Sequence, residues 1–314
     1  DVINSREEII ENVELEPAPI IPWDTDKSPI KYSKNQEIYT ANAYYPKNPV
    51  IASEPGSLRG VNVVRIGITP YQYNPVTKQL KVLRDLEIKV ITEGGDGTYG
   101  TERLRSRWWD PILQNSIVNG NVLPQIDYSK RMANRSEEYE YLIICPNDTE
   151  FVSWADSISR FRNMQGIHTG VVTMSEINAV NAIALEAYIN TIYAEWQTPP
   201  AAVLLLGDYG TNMDNSIISP IWNNYCVSDN ILSDVDEDNM PDIVFARITA
   251  QNADQLEVMV NKFIHYETNP PTSFDFYDHP ITALGWQTER WFQICSEVVG
   301  GFWKNELGKH PVRI

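Results

Sequence analysis

The sequence predicts an α/β fold, a doubly wound parallel sheet between helices, preceded by a β-rich antiparallel region. Apolar runs without alternation, such as "AAVLLLG", imply strands buried on both faces, as in a parallel sheet covered by helices. Between these runs, apolar residues recur at helical spacing. Upstream, β-branched and aromatic residues alternate with polar ones, the period of an antiparallel strand with one wet face. The 314 residues, 42% of them hydrophobic, exceed the roughly 100–200 of a single domain, so more than one core is expected.

From residue 1 to about 60 the chain is rich in Pro and polar residues, which suits extended segments and turns. The run "VNVVRIGITPYQYNPVTKQLKVLRDLEIKVIT" predicts a hairpin, with strands Val61 to Thr69 and Gln79 to Thr92 about the turn in "YNPVTKQL". "TEGGDGTYG" supplies a flexible stretch and "IDYSKRMANRSEEYE" a charged linker. The bases Lys130, Arg131 and Arg135 suit processing by a trypsin-like or self-cleaving activity, and equally suit a solvated linker. Residues 1–136 thus form the β-rich region, 137–272 an α/β unit and 273–314 the start of a further unit.

In the α/β unit, Glu140 to Pro146 reads as a strand. Phe151, Trp154, Ile158 and Phe161 share one face of a helix ending near Gly166. "HTGVVTM" is a second strand, followed by an amphipathic helix with Ser175 as its N-cap, and then "PPAAVLLLGDYG" as a third strand. "DIVFARI", the helix "NADQLEVMVNKFIHYETN", the strand "PITALGW" and a helix from near Thr288 complete the alternation. Ligands of such sheets sit beyond the carboxyl ends of the strands, where Asp208 stands.

The formal charge of −17 and pI near 4.6, with no basic cluster, disfavour nucleic acid and anionic membrane surfaces as partners. No apolar run reaches the roughly 18–20 residues of a membrane span, and the first residues lack a signal-peptide layout. The expectation is a soluble chain whose export signal is removed or lies outside it. Three widely spaced cysteines without CxxC give neither a disulfide framework nor a zinc site. No strand is followed by G-x-G-x-x-G or a P-loop, which argues against a nucleotide-binding domain.

Five acidic residues fall between Asp234 and Asp242. Asp234, Asp236, Asp238 and Asp242, with the backbone carbonyl of Met240 among them, have the alternation by which acidic loops wrap a hard cation. Uncompensated, such carboxylates repel by about 1 kcal/mol per pair at 4 Å even in bulk water. The loop is not an EF-hand, since Asn239 replaces the turn glycine and no twelfth-position Glu follows. A solvated acidic loop fits the same spacing.

The pieces "AVLLLGDYG" and "SDVDEDNMPDIVFARITAQNADQLEVMVNKFIHYETNP" resemble the first subdomain of the gingipain-type cysteine peptidases, family C25. There a "GD" at a strand end, a "D-x-D-x-x-P-[DE]" loop, "GR" and a helix ending "HYE" recur, with Ala246 standing here where the family usually has Gly. The run from Val61 resembles the β-rich inhibitory pro-domain of these zymogens. The resemblance implies a caspase-like catalytic fold and a structural calcium held by Asp208, Asp236, Asp238, the carbonyl of Met240 and Asp242, with Asp234 a doubtful ligand. It also implies a contact between pro-domain and catalytic domain, protein or peptide substrates, and a secreted or cell-surface destination.

Such peptidases cut with a His in a "GHGS"-like motif and a Cys at the end of a later strand. Neither motif occurs in these 314 residues. Cys145 lies in a buried-looking strand, Cys226 in a loop and Cys295 in an amphipathic helix. His265 is the helical "HYE" residue, and His168, His279 and His310 sit at element edges. Glu289 stands where the family carries an acidic group able to orient a catalytic imidazole; a carboxylate on a helix N-terminus reads equally well. The expectation is the amino-terminal portion of a cysteine endopeptidase zymogen, inactive alone, with its dyad and the remainder of its catalytic domain beyond residue 314. The alternative is a calcium-stabilised, non-catalytic binding or surface-assembly module.

Overall fold

A computed structural model describes residues 1–314 except 21–27, 95–96, 130–137 and 286–289. In the amino-terminal region lie β1 (Val2–Ile10), β2 (Gly56–Leu58), β3 (Val61–Val63), β4 (Tyr71–Asn74) and β5 (Gln79–Ile88), followed by the short helix α1 (Asp110–Ser116). β5 pairs antiparallel with β1 on one side and β4 on the other, while β2 and β3 make a separate ribbon.

The hairpin is therefore built differently from the expected one. The arm opposite β5 is Tyr71–Asn74, and the expected strand Val61 to Thr69 is divided between β3 and Ile66–Ile68, which pairs with Val50–Ala52. Local chemistry decides the turn: the Asn74 carboxamide accepts the N–H groups of Val76 and Thr77, an Asx turn that closes the ladder immediately after β4. The division of the preceding run depends on partners distant in sequence, which alternation does not report.

The α/β unit matches expectation more closely. β6 (Tyr141–Cys145), β7 (Thr169–Thr173), β8 (Ala202–Leu206) and β9 (Val244–Ile248) form one sheet in the order β7-β6-β8-β9, every pairing parallel. Helices α2 (Thr149–Met164), α3 (Ala182–Glu195), α4 (Asn230–Ser233) and α5 (Ala253–Thr268) lie between the strands in sequence. Ile143, Cys145, Leu204 and Leu206 pack against Phe151, Ala155 and Ile158 of α2 and Leu256 and Val260 of α5. Leu142, Ile144, Val203 and Leu205 face the other way, onto Leu185, Ile189 and Ile192 of α3. Alternate strand residues thus enter different apolar layers, which is why the strands show no alternation in sequence. Phe151 is 2% exposed, so Phe151→Ala is expected to lower the unfolding free energy by about 3–5 kcal/mol, read as a fall in urea midpoint; an unchanged midpoint would contradict this packing.

Ser175 does not open the second helix. Residues 175–178 form a turn, and α3 starts seven residues later, where the Asn181 side chain accepts the Ala184 N–H at 2.8 Å. Ala179, between these points, is fully buried, so the turn packs into the core before the helix begins. Beyond α5, Ile281–Thr282 and Val312–Arg313 pair in parallel on either side of α6 (Trp291–Asn305). A third cluster of Val61, Trp109, Leu113, Leu123 and Ala201 joins the amino-terminal region to the start of β8.

Candidate functional site

Asp234, Asp236 and Asp242 each offer a carboxylate oxygen, and these three atoms lie within 4.8 Å of one another. The chain arrives from α4 and turns tightly, with Glu237 and Asn239 in the left-handed region at φ 61° and 65°. Asp234 organises this turn by accepting the N–H groups of Asp238 and Asn239 at 3.0 and 2.9 Å. Asp242, 1% exposed, accepts from Val235 N–H at 3.2 Å and from the Tyr193 hydroxyl at 3.1 Å. Burial, and then the charge of Asp236, push its carboxyl up to about 6. Burial followed by the charges of Asp238 and Asp234 raises Asp236 in the same direction.

The structure does not bring the five expected donors together. Asp208 follows the carboxyl end of β8, whereas residues 234–242 precede β9, and the two strands run parallel with Ala202 opposite Val244 and Leu206 opposite Ile248. Asp208 and the acidic loop are thus at opposite ends of the sheet, separated by a strand of about 17 Å. Asp208 is occupied locally, accepting from Tyr209 N–H and the Gln251 side chain at 2.8 and 2.9 Å. Asp238 accepts from Met240 N–H at 2.8 Å and, across the molecule, from Ser57 N–H at 2.5 Å. Asp234, set aside from the sequence, belongs to the cluster instead. Glu289, Arg131 and Arg135 lie outside the described residues.

The amino-terminal region meets this loop through an arginine the sequence reading missed. β2 runs so close to the loop that a Cβ on Gly56 would lie 2.4 Å from the Asp238 carboxylate. Arg59, in the left-handed region at φ 50°, donates its backbone N–H to Asp242 at 3.1 Å. Its guanidinium, 0% exposed, donates to the carbonyls of Leu104, Pro199, Pro200 and Asp242 at 2.6 to 3.0 Å. It also lies 5.8 and 5.3 Å from the ring centres of Trp109 and Tyr193. Burial lowers its pKa to about 10, which leaves it cationic at neutral pH. Arg107 adds a fork onto Glu140 at 2.9 and 3.1 Å, and Trp109 donates its indole N–H to Ala201 O. These contacts all fall on the amino-terminal rim of the parallel sheet.

Residues 1–103 match the family model Propeptide_C25, and residues 134–285 match the model for peptidase family C25. The chain is a C25 pro-domain joined to part of a C25 peptidase domain. Over 263 residues this C25 chain is 24% identical to gingipain R2 of Porphyromonas gingivalis, covering 79% of its own length and 32% of that protein. Over 260 residues it is 25% identical to Lys-gingipain of the same organism, covering 80% and 14%. The chain thus spans about a third or less of the length of these curated relatives. Among solved structures, the Arg-specific cysteine proteinase gingipain R aligns over 57% of this chain and 42% of that one, at 16% identity and TM-score 0.45. The complex of P. gingivalis RgpB pro- and mature domains aligns over 39% and 62%, at 21% identity and TM-score 0.31.

In this C25 chain Cys145 is fully buried, its thiol 3.7 Å from Val172 O, and burial pushes its pKa up to about 12. Cys226 and Cys295 are exposed. Among the described residues no hydrogen bond joins a thiol to an imidazole. The "AR" of the acidic-loop motif has a structural role: Arg247 forks onto Asp229 at 2.9 Å and donates to Gly207 O and Ile217 O. It braces the loop that covers the carboxyl ends of the strands. Nothing in composition or periodicity marks Arg59; its sole signal is a lone base set between the apolar Leu58 and Gly60.

Proposed function

We propose that this chain is the latent amino-terminal part of a secreted or cell-surface endopeptidase precursor that hydrolyses protein or peptide substrates through a cysteine thiolate, and that the cutting Cys and His are not among residues 1–314. The reading rests above all on one observation, a C25 pro-domain carried in cis and plugged by Arg59 into the α/β unit. A nucleophilic cysteine needs a depressed pKa and an adjacent base; burial moves Cys145 the opposite way. Residues 273–314 serve in this reading as the first β-α-β turn of the catalytic domain's second half.

The acidic loop suits a structural calcium. Three carboxylates from Asp234, Asp236 and Asp242 converge, two with raised pKa values, and such a set of hard oxygens is matched by a hard divalent cation. The Met240 carbonyl belongs to the same loop, while Asp238 is not among the three converging carboxylates and Asp208 is remote. The ion would relieve mutual repulsion and hold the turn between α4 and β9. The expected result with a thiol-reactive peptide probe and peptide substrates is neither labelling nor turnover by the 1–314 chain. Saturable labelling of Cys145, Cys226 or Cys295 would refute the catalytic part of this reading. A precursor sequence lacking a Gly-His motif and a later Cys would make the fold a binding module.

A further inference from the structure

We propose that His279 and His310 form a two-imidazole site for a borderline transition-metal ion of the zinc class, clipping together the two strands that flank α6. The motif is repeated in the sequence: Asp278-His279-Pro280-Ile281-Thr282 and Lys309-His310-Pro311-Val312-Arg313. The two segments pair in parallel, Ile281 opposite Val312 and Thr282 opposite Arg313. The ladder continues backwards, with Val312 N–H donating to Pro280 O and His310 N–H to Asp278 O, both at 2.8 Å. The same register sets His279 beside His310, their ring centres 5.8 Å apart and tilted by 32°.

Both rings are held through Nδ1. His279 Nδ1 lies 2.7 Å from Asp275 O; a carbonyl only accepts, so Nδ1 carries the hydrogen. His310 Nδ1 donates to the carboxylate of Asp278. A neutral imidazole protonated at Nδ1 keeps its lone pair on Nε2, which is the tautomer that binds metals, and a carboxylate or carbonyl behind a ligating histidine is the usual outer-shell partner. Asp278 is buried, with Lys309 Nζ 4.0 Å from its other oxygen, so it orients His310 and leaves ligation to the imidazoles. The imidazoles are open to solvent, the His310 side chain being 72% exposed. Zn–N bonds of about 2.0–2.1 Å put the centres of two imidazoles sharing one ion roughly 5–6 Å apart, in line with the observed spacing. Imidazole suits zinc, nickel or copper and gives calcium no hard oxygen donor, so the site is independent of the acidic loop and of the peptidase reading.

The test uses the full chain with Cys226→Ser and Cys295→Ser, which removes competing exposed thiols, titrated with zinc chloride by calorimetry in millimolar calcium chloride. One saturable site is expected. Asp278→Asn should weaken it by about 10–100-fold, and His279→Ala plus His310→Ala should abolish it. Long-range proton–nitrogen NMR of the unsubstituted chain gives a readout that does not depend on variants folding: zinc should move the Nε2 resonances of both histidines and leave their Nδ1–H tautomer in place. Absence of saturable binding, binding that survives the double His variant, or unmoved Nε2 resonances would each overturn the site.

Discussion

Arg59→Met is expected to lower the stability of the whole chain by about 3–5 kcal/mol, the cost of removing one partner from a buried charged network. The variant fills similar space but leaves four carbonyls, at Leu104, Pro199, Pro200 and Asp242, without the donors they now accept from. Arg59→Lys should recover only part of the loss, because an ammonium cannot reproduce a planar fork spread over separate acceptors. Gly56→Ala probes the same interface from a second point: its Cβ would meet the Asp238 carboxylate and the Met240 side chain at 2.4 and 2.5 Å. The measurement is urea unfolding, paired with proteolysis of the pro-domain under native conditions. An Arg59→Met chain with parental midpoint and parental protease resistance would show that the pro-domain is not held in this way.

The second large effect concerns Asp242, and its sign follows from the direction of its shift. The folded carboxyl titrates near 6 and an unfolded aspartate near 3.9, so the folded state holds the extra proton between those values. By linkage, ion-free protein keeps this contribution below about pH 4 and loses it as pH rises through 6, by up to about 3 kcal/mol. A bound calcium requires the ionised carboxylate and should reverse the trend, since its stabilisation grows as the ligands deprotonate. Melting temperatures measured from pH 4 to 8 in EDTA and in calcium chloride should coincide at the acid end and separate above pH 6. Asp242→Asn should flatten both curves. Parallel curves with and without calcium would remove the cation from the acidic loop.

The parallel sheet was legible because a strand buried on both faces must be apolar throughout, as Leu142 to Cys145 and Val203 to Leu206 are. The acidic loop was legible as a run of carboxylates at alternate positions, a spacing that a solvated loop and a cation site share. The ligand set was not, because a spacing within one loop says nothing about which end of the sheet a residue such as Asp208 occupies. Asp234 was undervalued for the same reason: its place in the cluster depends on the left-handed turns at Glu237 and Asn239, whose residue types permit that conformation without demanding it.

What the residues determined alone is local and periodic: the alternation of strand and helix, the run of carboxylates in the loop, and the strong negative charge that disfavours polyanionic partners; the link to family C25 came from resemblance. Tertiary structure decided which groups meet. Arg59 is one cation in a chain of 314 residues until the fold closes a cage of carbonyls around it, and His279 and His310 become neighbours only when two parallel strands fall into register. The reason is physical: apolar periodicity is set by each element's own geometry, whereas hydrogen bonds and buried charges depend on partners that the chain brings together from far apart.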